Sequence, residues 1–231
     1  DARPSHALTA LQPLTDAAAM EKFLDGLDWR QNPWDQSHRG AGLYAALALT
    51  DSVDRAWCRR YFDWLAANGD AGTGLFRRGC VAPIAHGSRK EPSLFPHLAG
   101  TFHYLFNLEY ARQPLPYPVA LVETCLDIFA AGRFPLGRAV GFAEIDWVFC
   151  LTRSLRQCGH RHAACREALE AFADRYVPYL LGLDPTTHAG LDDLHLVFGA
   201  TCCLAELQAA LPGRLHTDRP LKLVLDRRPF I

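Results

Sequence analysis

The feature of this chain that most limits what it can fold into is a repeat. Gly141-Phe142-Ala143-Glu144-Ile145-Asp146-Trp147-Val148-Phe149 aligns without gaps on Gly190-Leu191-Asp192-Asp193-Leu194-His195-Leu196-Val197-Phe198, an offset of 49 residues. Moving back 43 residues, Thr101-Phe102-His103-Tyr104-Leu105-Phe106 takes the register of Glu144 to Phe149, and Gly42-Leu43-Tyr44 follows more loosely. A period of about 40 to 50 residues belongs to chains that stack one small helical unit on the next.

The segments around the repeat alternate in character. Between Asp54 and Asn68, Trp57, Tyr61, Trp64 and Leu65 recur on one helical face, and Gly69 stops the pattern. From Tyr117 to Ala131 the stripe is Val119, Val122, Leu126 and Phe129, opened by Pro116 and Pro118 and closed by Gly132. A third such segment runs from His162 to Leu181, with a shorter relative from Asp16 to Leu27. Between them lie stretches that are apolar nearly all round: Gly42 to Leu49, Leu98 to Leu108, Phe142 to Leu155, and Leu191 to Leu211. A helix with no polar face is buried on all sides. The expected fold is therefore all-α, with outer and inner helices alternating in about four hairpins. One domain is expected over 1–231, with a loop-rich insertion at about 69–96 and an extended tail at about 213–231.

Composition narrows the partners. Lys plus Arg number 24 against 25 Asp plus Glu, which leaves no electrostatic footprint for nucleic acid or an anionic membrane. No apolar run approaches the roughly 20 residues of a membrane span. The eight cysteines include no Cys-x-x-Cys pair. Cys58, Cys125, Cys150, Cys165, Cys202 and Cys203 fall in helical patterns, where a free thiol acts as a small apolar group. Reduced thiols and a cytoplasmic location are the expectation.

Asp70-Ala71-Gly72-Thr73-Gly74-Leu75-Phe76 joins an outer helix to a buried inner one. That turn, in that setting, resembles the repeat unit of the α/α-toroid proteins, over most of the chain. The superfamily includes six-hairpin glycosidases, unsaturated-glycuronyl hydrolases, sugar 2-epimerases, some polysaccharide lyases, and the terpenoid cyclases and prenyltransferases. Two departures stand out: four visible hairpins instead of the usual six, and no aspartate-rich cyclase signature. The resemblance implies a partial or complete toroid with a pocket where the loops enter the inner helices, whose N-termini carry partial positive charge.

In the repeat register His103, Asp146 and His195 are equivalent, and Thr101, Glu144 and Asp193 form a second set. Residues two apart differ by about 200° around a helix, so only one set faces a central cavity, and a buried His or Asp is costly without a partner. The expected catalytic groups are Asp146, His103, His195 and Glu144. The expected substrate contacts are His38, Arg39 and Trp34 from the loop before the first inner helix, Arg77 after the Gly74-Leu75-Phe76 turn, and His97, Tyr104, Trp147 and Asp193. Arginine forks suit carboxylates and phosphates, and Trp34, Tyr104 and Trp147 suit stacking on sugar rings. Structural roles compete: helix capping for Glu144, Asp192 and Asp193, hydrogen-bonded core positions for His97 and His103, and solvated surface for the arginines.

These residues suit a carbohydrate-active enzyme of hydrolase, lyase or epimerase type, with a small-molecule or oligosaccharide substrate and no required cofactor. A cyclase or prenyltransferase relative would instead use the histidines and Asp146 around a divalent metal such as zinc. A helical-repeat scaffold that binds a partner is the non-enzymatic reading. The oligomeric state is open.

Overall fold

The computed structural model describes residues 8–30, 32–76, 94–132, 134 and 136–230. Among them the regular structure is helical, with no strand: α1 (Ala17–Asp25), α2 (Pro33–Leu49), α3 (Arg55–Ala67), α4 (Leu94–Ala111), α5 (Pro118–Ala131), α6 (Ala143–Cys158), α7 (His162–Leu181) and α8 (Leu194–Ala210). Short 3-10 turns at Thr9–Thr15 and Ala189–Leu191 precede α1 and α8. Helix starts are set by side chains that occupy amides the helix leaves unpaired. Asp16, Asn32, Asp54 and Asp193 each accept such a bond, and Pro33 and Pro118 stand at the first helical positions.

The even-numbered helices pack side by side, α2 on α4, α4 on α6 and α6 on α8, while α1 pairs with α3 and α5 with both α6 and α7. The apolar pattern explains the division. α4 is buried at nearly every position from Leu94 to Leu108, whereas α3 buries one stripe that includes Trp57, Tyr61, Trp64 and Leu65. At about 1.5–3 kcal/mol per large apolar side chain, that quartet contributes roughly 6–12 kcal/mol before the entropy of ordering is charged against it. The buried apolar residues form a cluster that reaches from Met20 to Phe230.

Three local expectations need correction. The first inner helix begins at Pro33 rather than near Gly42, so Trp34, Asp35, His38 and Arg39 lie on the opening turns of α2 and not in a loop. In α5 Val122 and Leu126 are buried as expected, together with Leu121, Cys125 and Ile128, whereas Val119, in the first turn after Pro118, is 46% exposed. Phe198 does not share the burial of Phe106 and Phe149. It is 37% exposed, and Leu194 one turn before it is 86% exposed.

The Asp70 to Phe76 turn is a structural joint. Asp70 accepts from Gly72 N–H and from the Thr73 hydroxyl at 2.6 Å, and Gly69 and Phe76 form an isolated antiparallel bridge. Phe76 N–H bonds Thr101 Oγ1 on α4, and the Thr73 carbonyl accepts from Thr124 on α5, so the turn ties two helices together. Gly74 sits at φ +73°, and a Cβ there would collide with the Leu121 backbone. Of the expected 69–96 insertion, 77–93 lie outside the described residues. From 211 to 230 no regular element follows α8. The seven described cysteines are unpaired thiols. No described helix is long and apolar enough to cross a membrane.

Candidate functional site

The opening turns of α2 and the middle of α4 bring two imidazoles together. His38 and His103 have ring centroids 4.0 Å apart, tilted by 40°. Trp34, one helical turn before His38, packs edge-on against it at 4.2 Å and leaves 44% of its own surface exposed. Ser37, fully buried, bonds His103 Nδ1 at 2.7 Å and the Trp34 carbonyl at 2.7 Å. His38 Nδ1 reaches the same carbonyl at 3.1 Å.

These contacts assign the tautomers. A carbonyl oxygen only accepts, so His38 carries its proton on Nδ1 and Ser37 directs its single hydroxyl hydrogen to Trp34. His103 must then donate from its own Nδ1 to Ser37 Oγ. Both Nε2 atoms are left as lone pairs. Burial lowers the pKa of His38, and that of His103 falls well below 6.5 through burial and then through the neighbouring His38 charge. Both rings are therefore neutral bases near pH 7.

The other expected residues divide by location. His195 is exposed at the start of α8, stacks on Phe142 at 4.2 Å, and lies close enough to His38 to act on its charge. Asp146 is buried and couples to Glu144, Cys150 and Cys203. Among the described residues no hydrogen bond, ring contact or resolved charge effect joins it to His103 or His195. Desolvation raises its pKa well above its ordinary 3.8, with the Glu144 charge adding to it, and among the described residues its Oδ1 has no hydrogen-bond partner. Glu144 accepts from Gly137 N–H at 3.2 Å, and burial raises its pKa as well. Asp193 caps α8 through the amides of His195 and Leu196.

Tyr104 is fully buried, stacked on Trp29 at 5.2 Å, and Gly40 leaves the room its hydroxyl needs. Trp147 is fully buried against Phe129 and Phe172, with its Nε1 donating to the Cys125 carbonyl. Neither ring presents a face for stacking. His97 is buried, its Nδ1 has no hydrogen-bond partner among the described residues, and burial pushes its pKa down to about 4. Arg39 is exposed, bonded to Gln36 and set over the Phe23 ring. Arg77 lies outside the described residues. Among the described residues no group of three or more His, Cys, Asp or Glu is arranged to hold a metal ion.

Two features escaped sequence reasoning. Arg153 on α6 and Glu206 on α8, 0% and 1% exposed, form a bidentate pair with both contacts at 2.7 Å. Arg153 also lies 4.1 Å from the centroid of the Phe149 ring, with Asp226 at 3.5 Å and Glu109 at 3.8 Å. The second feature is Phe230, whose ring packs on His103 at 4.5 Å and His38 at 5.2 Å while its N–H donates to Asn107. The charged residues within apolar helices were the available signal for the first. An apolar side chain outside any periodic segment gave none for the second.

No protein-family model, curated protein or solved structure matches this chain.

Proposed function

We propose that the chain is a carbohydrate-active enzyme of the lyase or epimerase type, built on helical hairpins related to the α/α toroids, and that it works by proton transfer through His38 and His103. One observation carries the reading: a single backbone oxygen, that of Trp34, orders both Nδ1 protons and leaves two bare Nε2 atoms on adjacent neutral rings. Such a pair can take a proton from a carbon next to a carbonyl or carboxylate and return one to a neighbouring atom. Trp34 offers the exposed aromatic face on which the apolar side of a sugar ring stacks. His38, half-buried, meets the substrate, and His103 behind it accepts or returns the second proton.

This reading uses neither Asp146 nor Glu144 as the reacting acid, since both carboxyls are buried and no hydrogen bond among the described residues joins either to the imidazole pair. It departs there from hydrolysis by paired carboxylates, whose groups must flank a bond. The test is solvent exchange. A panel of aldoses, ketoses and uronates is incubated with the chain in deuterated buffer and followed by proton NMR for deuterium uptake at carbon and for new alkene signals. Uptake or elimination with one member, abolished in His38→Ala and retained in Asp146→Asn, is the expected result. No exchange across the panel, or exchange indifferent to His38→Ala, would refute the proposal.

A further inference from the structure

The segment from Leu221 to Phe230 reaches the imidazole pair without belonging to any helix. Among the described residues its only backbone bond to itself is Arg227 N–H to the Val224 carbonyl, and its backbone bonds to the body end on side chains: Leu221 N–H on Gln208 and Phe230 N–H on Asn107, at 2.8 and 2.9 Å. Leu225, Pro229 and Phe230 are buried, Arg227 and Arg228 are exposed, and Asp226 touches Arg153 from a partly exposed position. A stretch held only by side chains, with no ladder or helix to break, opens at lower cost than the helices beneath it.

We propose that residues 221–230 act as an internal strap that occupies a ligand subsite and closes off His103. The Phe230 ring lies on His38, His103 and Phe106 at once, and its amide supplies the donor that Asn107 Oδ1 accepts. Asn107 is itself locked in place, its amide donating to the Ala41 carbonyl and the Tyr61 hydroxyl. With the strap lifted, the vacated space offers a phenyl face, two imidazole edges and one fixed acceptor. That set suits the apolar face of a sugar ring with one hydroxyl donating to Asn107. The ligand class rests on the proposed function, whereas the closure does not.

Access to imidazole nitrogen tests the closure without any substrate. The intact chain is treated with diethyl pyrocarbonate, and the carbethoxylation of each histidine peptide is followed by mass spectrometry. Exposed His162 serves as the reference for a free ring, and His97, buried away from the strap, reports unfolding. In the parent chain His103 should react at least about tenfold more slowly than His162. Phe230→Ala should raise the His103 rate about tenfold or more with His97 still protected, and Asp226→Asn, which removes no packing, should raise it by a smaller factor. His103 remaining protected in both variants overturns the proposal. So does a rise of His97 together with His103 in both, because the segment would then be inseparable from the core. Failure here leaves the deuterium-exchange result untouched, so the two ideas fall separately.

Discussion

Replacing Glu206 by Gln should be among the most damaging single changes available to this chain. The substitution keeps shape and removes one charge, leaving the guanidinium of Arg153 fully buried against a neutral amide. Breaking a buried pair from one side typically costs about 3–5 kcal/mol, because the remaining ion keeps its desolvation penalty and loses its compensation. Asp226 and Glu109, 3.5 and 3.8 Å away, recover part of it, so the expected loss is at the low end, about 3 kcal/mol. With a urea dependence of roughly 3 kcal/mol per M, the midpoint should fall by about 1 M. The double variant Arg153→Leu with Glu206→Leu should recover most of that loss, because two apolar side chains replace the pair without stranding a charge. Equilibrium urea unfolding followed by circular dichroism reads both. A loss under about 1 kcal/mol in Glu206→Gln, or a double variant no better than the single one, would show that Arg153 reaches water or another anion.

His97 should make the fold sensitive to acid. Its pKa falls from 6.5 to about 4 on burial, so its stabilising contribution is complete above 6.5 and is lost as pH drops toward 4. At about 1.4 kcal/mol per tenfold change in proton affinity the loss is about 3 kcal/mol, and His97→Phe should flatten that part of a stability-against-pH curve, whereas an unchanged slope would assign it elsewhere. Asp146→Asn should match the parent within about 1 kcal/mol below pH 3.8, where the carboxyl is neutral in the folded and unfolded chain alike. The raised folded-state pKa makes the parent's contribution complete below 3.8 and lost as pH climbs from there to the folded value, so the variant should already be the more stable of the two at pH 7. A deficit of several kcal/mol at pH 7 would point to a charged partner instead.

The helical character of the chain was legible because apolar periodicity records burial directly: the stripe Trp57, Tyr61, Trp64 and Leu65 reads the same in sequence and in α3. The start of α2 was not. Pro33, Gly40 and Gly42 resemble loop punctuation, yet Pro33 occupies a first-turn position that favours it and Gly40 makes room for Tyr104. Repeat register located His103 and missed its company, because a register gives height along a helix and not what the neighbouring helix presents there. His38 and Ser37 are local on α2, and their meeting with His103 is a fact of packing. Arg153 and Glu206 were likewise visible as charges on α6 and α8, but their pairing spans 53 residues and is a fact of packing too.

The Trp34 carbonyl has an implication for how this pair could drift or be redesigned. A backbone oxygen has no side chain to substitute, so the acceptor that orients His38 persists through any exchange at position 34 that preserves the helix. His103 is wired to the same oxygen only through the Ser37 hydroxyl. The two rings therefore have unequal genetic robustness: one codon, that of Ser37, can release the tautomer of His103 and leave that of His38 intact. Divergence at that position would convert a matched pair into one fixed base and one free to trade its proton between two nitrogens.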